Sequence, residues 1–256
     1  MGYRFLLPAL FALLLLPLTT VNAQGRPPAG DWQVSIGAIG LYLPKYTGSD
    51  EYEFRPFPSL DVTWRDRIFL NARQGLGAYL YRDTKLHFGA SVGYSFGRDQ
   101  NDSVDLDGLG DIDGGASANL FARWNLGKIS FDARYEQQIS GADTGAQIHA
   151  SVGYTHRPGP TMLRPALTVN WGSDAYMQDY FGINPKQAAN SGLPTYTAEA
   201  GFKSVGGRLT IVHPLDRAWA VTLLANYDLL LGDAADSPLV KAENQCFAAL
   251  GIVYAF

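Results

Sequence analysis

The 256-residue sequence predicts an all-β fold, a transmembrane antiparallel up-and-down β-barrel. Three observations carry that prediction. Period-2 alternation of apolar and polar residues dominates nearly everywhere, and helical spacing is hard to find. The apolar faces often end in aromatics, among them Trp32, Trp64, Trp124, Tyr154 and Trp171, as interface girdles require. The chain opens on an apparent export leader. A sandwich in water would also alternate, but girdles and leader together favour lipid, where a closed sheet leaves no backbone group unpaired.

Residues 1–23 carry Arg4, an apolar run broken by Pro8 and Pro17, and a small-residue cleavage site at Val21-Asn22-Ala23. This reads as a secretory signal cut before Gln24, with residues 24–256 forming one barrel domain. The remainder has 19 basic against 24 acidic residues, and no basic cluster suggests nucleic acid. The lone Cys246 offers no intrachain disulfide. With 28 glycines, 12% aromatics and a mean hydropathy near zero, the composition suits strands with one lipid face and one wet face.

Strands and turns follow from parity, with long loops outside and short turns inside. An outer loop is expected over 42–55. The stretch 67–81 must then hold two strands turning near 73–75, followed by an inner turn at YRDT, 81–84. Leu86, Phe88, Ala90, Val92, Tyr94 and Phe96 alternate up to an outer loop at 98–114. The inner NLGK turn at 125–128 leads into 128–139, where Ile129, Phe131, Ala133 and Tyr135 alternate with charged residues. An outer SGAD turn, 140–143, precedes the strand from Ala146 to Thr155. The inner HRPGPT turn follows at 156–161 and an outer loop at 173–194. HPLDR at 213–217 turns inside, and 218–229 alternates, with Leu224 the odd member of the set Ala218, Ala220, Thr222, Leu224, Asn226 and Asp228. A last outer loop, 231–243, leads to the closing CFAALGIVYAF. There Leu250, Ile252, Tyr254 and Phe256 form a bulky face, and Ala249, Gly251, Val253 and Ala255 a small one. The count is twelve strands. Ten is the alternative, because each half of 67–81 is shorter than the roughly 9–11 residues a spanning strand wants.

Four stretches go beyond patterning: GLYLPKYTGSDEYEFRPFPSLDVTW from Gly40, DLDGLGDIDGG from Asp105, DYFGINPKQAANSGLPTYTAEAG from Asp179 and YDLLLGDAADSPLV from Tyr227. Together they resemble the MipA/OmpV family, the MltA-interacting outer-membrane proteins, over essentially the whole mature chain. The resemblance implies a non-catalytic outer-membrane barrel acting as a scaffold between a murein lytic transglycosylase and a penicillin-binding protein. A narrow channel or an adhesin is the alternative. The last residues, Tyr254 and Phe256, resemble the carboxy-terminal signal that barrel-assembly machinery reads.

By chemistry, Pro44, Gly48, Pro56 and Pro58 are turn formers expected in the first outer loop, and Asp233, Asp236, Ser237 and Pro238 fit an Asx-type turn. Charges on the polar faces assign Asp61, Arg65, Lys85, Arg123, Asp132, Arg134, Glu136, Arg164, Glu199 and Lys203 to the lumen. The run Asp105, Asp107, Asp111, Asp113 lacks the closing Glu of an EF-hand and reads as an acidic loop. Gly93-Tyr94-Ser95-Phe96-Gly97 matches G-x-S-x-G but sits in strand alternation before a loop, where a nucleophile elbow needs a helix. The four histidines have no ligand spacing. No catalytic residue, cofactor or metal is expected.

Overall fold

The computed structural model describes residues 31–141 and 145–256, so the expected leader and part of the SGAD turn lie outside the described residues. Twelve strands run in order: β1 (Trp32–Pro44), β2 (Tyr52–Trp64), β3 (Ile68–Asn71), β4 (Gly75–Arg82), β5 (Leu86–Ser95), β6 (Gly115–Leu126), β7 (Ile129–Gln138), β8 (Ala146–Tyr154), β9 (Met162–Gly172), β10 (Gly201–Pro214), β11 (Trp219–Leu230) and β12 (Asn244–Ala255). Each pairs antiparallel with its sequence neighbours, and β1 pairs with β12, closing the barrel. The count is twelve, not ten. The closing seam runs from Ser35 opposite Ala255 to Tyr42 opposite Ala248.

Alternation sorts the side chains as a barrel requires. Leu167, Leu250, Ile252 and Leu120 point outward, and Leu167 is 73% exposed, the placement expected of a lipid-facing residue. Paired aromatics mark the inner rim: Trp32 with Trp64, Trp124 with Phe131, and Trp219 with Tyr254. The lumen is divided. Ile39, Leu41, Leu43, Leu224 and Ala249 form a buried apolar cluster on the β1–β12–β11 side, with Phe57 and Phe247 packed against it. Leu224, the exception in the pattern, is therefore a core residue of the lumen.

The hairpin of β3 and β4 is stunted, with four and eight residues. Its turn explains why. Asn71 Oδ1 accepts from the backbone N–H groups of Arg73 (3.1 Å) and Gln74 (2.8 Å), an Asx turn. Gly75 follows at φ 73°, where a Cβ would overlap the Val92 carbonyl oxygen. At about 3.4 Å per residue, β3 rises only ~14 Å, roughly half the ~30 Å hydrocarbon core. Consequently β3 pairs with β2 only from Asp61 to Trp64. Residues 52–60 of β2 have β1 as their only strand neighbour among the described residues.

Two expectations change here. The first outer loop narrows from 42–55 to 45–51, because β1 and β2 stay paired up to Pro44 opposite Tyr52. Pro56 and Pro58 are therefore strand residues. They lie on the stretch of β2 without a second neighbour, where proline removes no ladder bond. Short helices also occur at the outer end: α1 (Asp174–Phe181), α2 (Pro185–Ser191) and α3 (Gly232–Ala235). The loop that holds α1 and α2 runs on to residue 200, beyond the expected 194. Ser173 caps α1, and Asn184 with Gln187 forms a capping box ahead of α2, a signal legible in N-P-K-Q.

Candidate functional site

The polar half of the lumen is built from inward positions of β6 to β11. Asp132 on β7 is gripped from both sides by Arg123 on β6 and Arg164 on β9. Arg164 also donates to Ser130 Oγ at 2.8 Å. Higher up, Arg134 pairs with Glu136 at 3.1 Å, and both are buried. His149 Nδ1 meets Asn170 Oδ1 at 2.7 Å, and Asn170 donates to Ser204 Oγ at 2.8 Å. Lys203, turned inward by a bulge between Phe202 and Ser204, donates to Tyr176 Oη at 2.9 Å and also bonds Gln147. Such pairs cross the polar half of the lumen and bar it.

Of the charges assigned to the lumen from sequence, Asp61, Arg123, Asp132, Arg134, Glu136, Arg164 and Lys203 point inward. Three do not. Arg65 lies in the left-handed turn between β2 and β3, where it pairs with Asp31 at 2.9 Å and stacks on Trp64. Lys85 is exposed in the turn before β5, and Glu199 is exposed in the loop before β10. Period-2 parity breaks once a strand ends, so alternation misplaces residues at its ends. Sequence reasoning missed Arg73, His149, Arg208 and Asp228. His149, Arg208 and Asp228 sit on inward parity, the signal that could have found them. Arg73 sits in a turn and gave none.

The outer end is closed by its loops. Tyr46, Leu106, Leu109, Ile183 and Leu239, from four different loops, form one buried cluster. Tyr176, Met177, Phe181, Ala198 and Ala234 form a second. The recognisable motifs are what hold this cap. In Y-T-G-S-D, Gly48 N–H donates to Gln245 Oε1 (3.1 Å), and its carbonyl accepts from Lys241 (2.7 Å) and Ala242 (3.0 Å). Ser237 of the S-P motif donates to the Phe181 carbonyl of Y-F-G at 2.6 Å. Tyr46 Oη donates to the Leu239 carbonyl at 3.1 Å, and burial pushes its phenol well up. Asp99 and Asp111 cap local backbone N–H groups. In the same loop, Asp102 is pushed up to about 6, chiefly by burial and then by Asp99 and Glu53 against the pull of Arg55.

Ser95 ends β5 and is followed by 3-10 turns, with His87 eight residues away on the same strand. Charge divides the two ends. The described outer loops carry fourteen acidic against five basic residues, while the inner turns carry six basic against three acidic.

Solved structures with a similar course include the KdgM porin (TM-score 0.44, 9% identity, 87% of this chain and 99% of that one) and the NanC porin (TM-score 0.47, 11% identity, 86% and 98%). Outer membrane protein OmpV of Vibrio cholerae is 25% identical over 71% of this chain and 65% of its own. The MltA-interacting protein of Escherichia coli is 28% identical over 40% of this chain, and the match spans 41% of that relative. Putative outer membrane protein YiaT of E. coli aligns over 97% of both chains at 23% identity. With its closed twelve-strand barrel, outward apolar bands and named relatives, this is an outer-membrane protein. The family of MltA-interacting protein MipA matches residues 36–256, and the chain belongs to it.

Proposed function

We propose that this protein is a non-catalytic, non-conducting scaffold of the outer membrane that docks a murein lytic transglycosylase, and through it a penicillin-binding synthase, on its periplasmic face. The observation that carries the reading is the double closure of the lumen. A loop cap with its own apolar clusters covers the outer end, and the Arg123–Asp132–Arg164 bridge spans the inside. A barrel barred in this way offers surfaces to partners in place of a path. The basic inner turns suit an acidic partner surface, since complementary charge steers encounter. A relative that bears the name of MltA interaction supports the identity of that partner.

A photocrosslinking amino acid placed at Arg67, Lys128 or Arg157 on the inner turns, and at Lys186 on the cap, tests the reading in intact envelopes. Capture of the transglycosylase from inner positions only is the expected result. Capture of no murein enzyme from any inner position overturns it. Steady ion conductance by the folded protein in planar bilayers would favour a channel instead.

A further inference from the structure

The stunted hairpin leaves an opening in the barrel wall. Its sill is the turn at 72–74. One jamb is the free edge of β2 and the other is β5, whose pairing with β4 stops at Val92. Three inter-strand spacings of ~4.8 Å separate those jambs at the sill, roughly 14 Å. The top is roofed by the 96–114 loop, where Ser103 Oγ donates to Glu51 Oε2 at 3.3 Å. Pro56 and Pro58 line the free edge and take donors away from it, so neither a second chain nor water finds a full ladder there. On the lipid side, Phe54 and Leu60 of β2 are exposed, as is Tyr94 of β5.

Behind this opening lies a cavity in the apolar half of the lumen. Its far wall is Ile39, Val212, Leu224, Ala249 and Val253. Its near wall includes inward Phe57 and Asp61 together with outward Pro58 and Leu60 and the exposed Ala72 at the sill. A cavity lined by both faces of one strand reaches through the wall at that strand's edge. Barrel lumens are ordinarily polar, so a greasy pocket inside, continuous with the lipid-facing surface, asks for hydrocarbon.

Arg73 adds the second half of the ligand. It lines this apolar cavity and also a neighbouring polar one shared with Arg123, Arg134, Arg208, Asp132 and His149. Arg73 Nε is buried without a partner among the described residues, as are Arg134 Nε and His149 Nε2. Of the four guanidinium groups there, Arg123 shares Asp132 with Arg164, Arg134 pairs with Glu136 and Arg208 donates to Asn226, which leaves Arg73 with neither a hydrogen bond nor an ion pair to another side chain among the described residues. The site is short of an anion, with its vacant donors at the inner end of a hydrocarbon slot.

We infer that the barrel binds a single-chain anionic amphiphile, a fatty acid in its simplest form. It enters sideways from the bilayer between β2 and β5, its tail against Phe57, Val212, Leu224 and Ala249 and its carboxylate on Arg73. The inference stands apart from the scaffold reading, since docking on the inner turns requires no ligand.

The test uses the full chain in nanodiscs with palmitate carrying a terminal diazirine. After illumination, peptide mapping is expected to find the label on Phe57, Val212, Leu224 or Ala249. Label confined to outward residues such as Leu250 and Ile252 marks an annular lipid only and overturns the inference. In native mass spectrometry, Arg73→Gln is expected to weaken palmitate retention at least about tenfold, the scale of one charge-assisted hydrogen bond. Ala249→Phe, which fills the slot, should abolish retention. Hexadecanol should be held weakly by the parent and the Arg73 variant alike. Equal retention of palmitate and hexadecanol by the parent overturns the role of the carboxylate. The diazirine map is read on the unmodified protein, so it decides even where a variant fails to fold.

Discussion

Truncating Asp132 to Ala removes the one carboxylate that joins β6, β7 and β9 across the lumen. Arg164 would keep only Ser130 at 2.8 Å, and Arg123 would lose its ion pair. Removing one partner from a buried pair costs about 3–5 kcal/mol because the remaining charge stays desolvated. Asp132 and Arg123 are each about one-fifth exposed while Arg164 is almost covered. Partial hydration places the expected loss at the lower end, ~3 kcal/mol, or roughly 150-fold in the folding equilibrium. Asp132→Asn keeps an acceptor without its charge and should lose about half as much. Urea titration of the barrel folded in vesicles reads this, followed by the fluorescence of the lipid-facing tryptophans. Replacing the group together, as Arg123→Met, Asp132→Leu and Arg164→Met, should recover most of the loss, since an apolar set of similar volume leaves no stranded charge. A change under about 0.5 kcal/mol for Asp132→Ala, the scale of a solvated surface pair, would refute the argument that this network is a structural plug.

Phe256 is exposed on the lipid side, with its ring edge-on to Tyr254 at 4.9 Å and its backbone N–H donating to the Val34 carbonyl at 3.0 Å. Phe256→Ser should therefore cut the amount of protein assembled in the outer membrane while leaving the folded fraction as heat-resistant on gels as the parent; normal assembly would remove its role as a signal. Asp102 carries a raised carboxyl in the cap, and an acid raised in the folded state burdens the fold as pH climbs from about 4 to about 6 and no further above that. Asp102→Asn should accordingly slow proteolysis of the 96–114 loop at pH 7 and leave it unchanged at pH 4, and a benefit greater at pH 4 would contradict the sign. Gly48 sits at φ 95°, and Val240 stands where a Cβ would go, with its Cγ2 2.6 Å from that position. Gly48→Ala should loosen the clasp between the first and last outer loops, read as faster cleavage of 231–243 with unchanged barrel melting.

Much of the barrel was legible because a strand of a membrane barrel repeats one rule at every second residue. The bulky and small faces of 249–256 appear in the structure as outward and inward faces, and the inner turns fall where their Pro, Gly and Asp residues stand. Helices of eight and seven residues escaped periodicity because two turns carry too few repeats, although Ser173 and Asn184 announced both starts. The charges at 65, 85 and 199 were misplaced because parity holds only within a paired strand.

By itself, then, the order of residues determined an outer-membrane barrel of twelve strands or ten, the sides of its faces and its family. Those follow from local rules, each readable within about ten residues. Only the tertiary structure decided what the family motifs do. Gly48 closes on Gln245 and Phe181 on Ser237, partners distant in sequence, so the motifs hold a cap. It also decided that Arg73 enters the lumen and that Pro56 and Pro58 border an opening. Those outcomes depend on where a neighbouring strand stops, and one strand's sequence does not contain the length of the next.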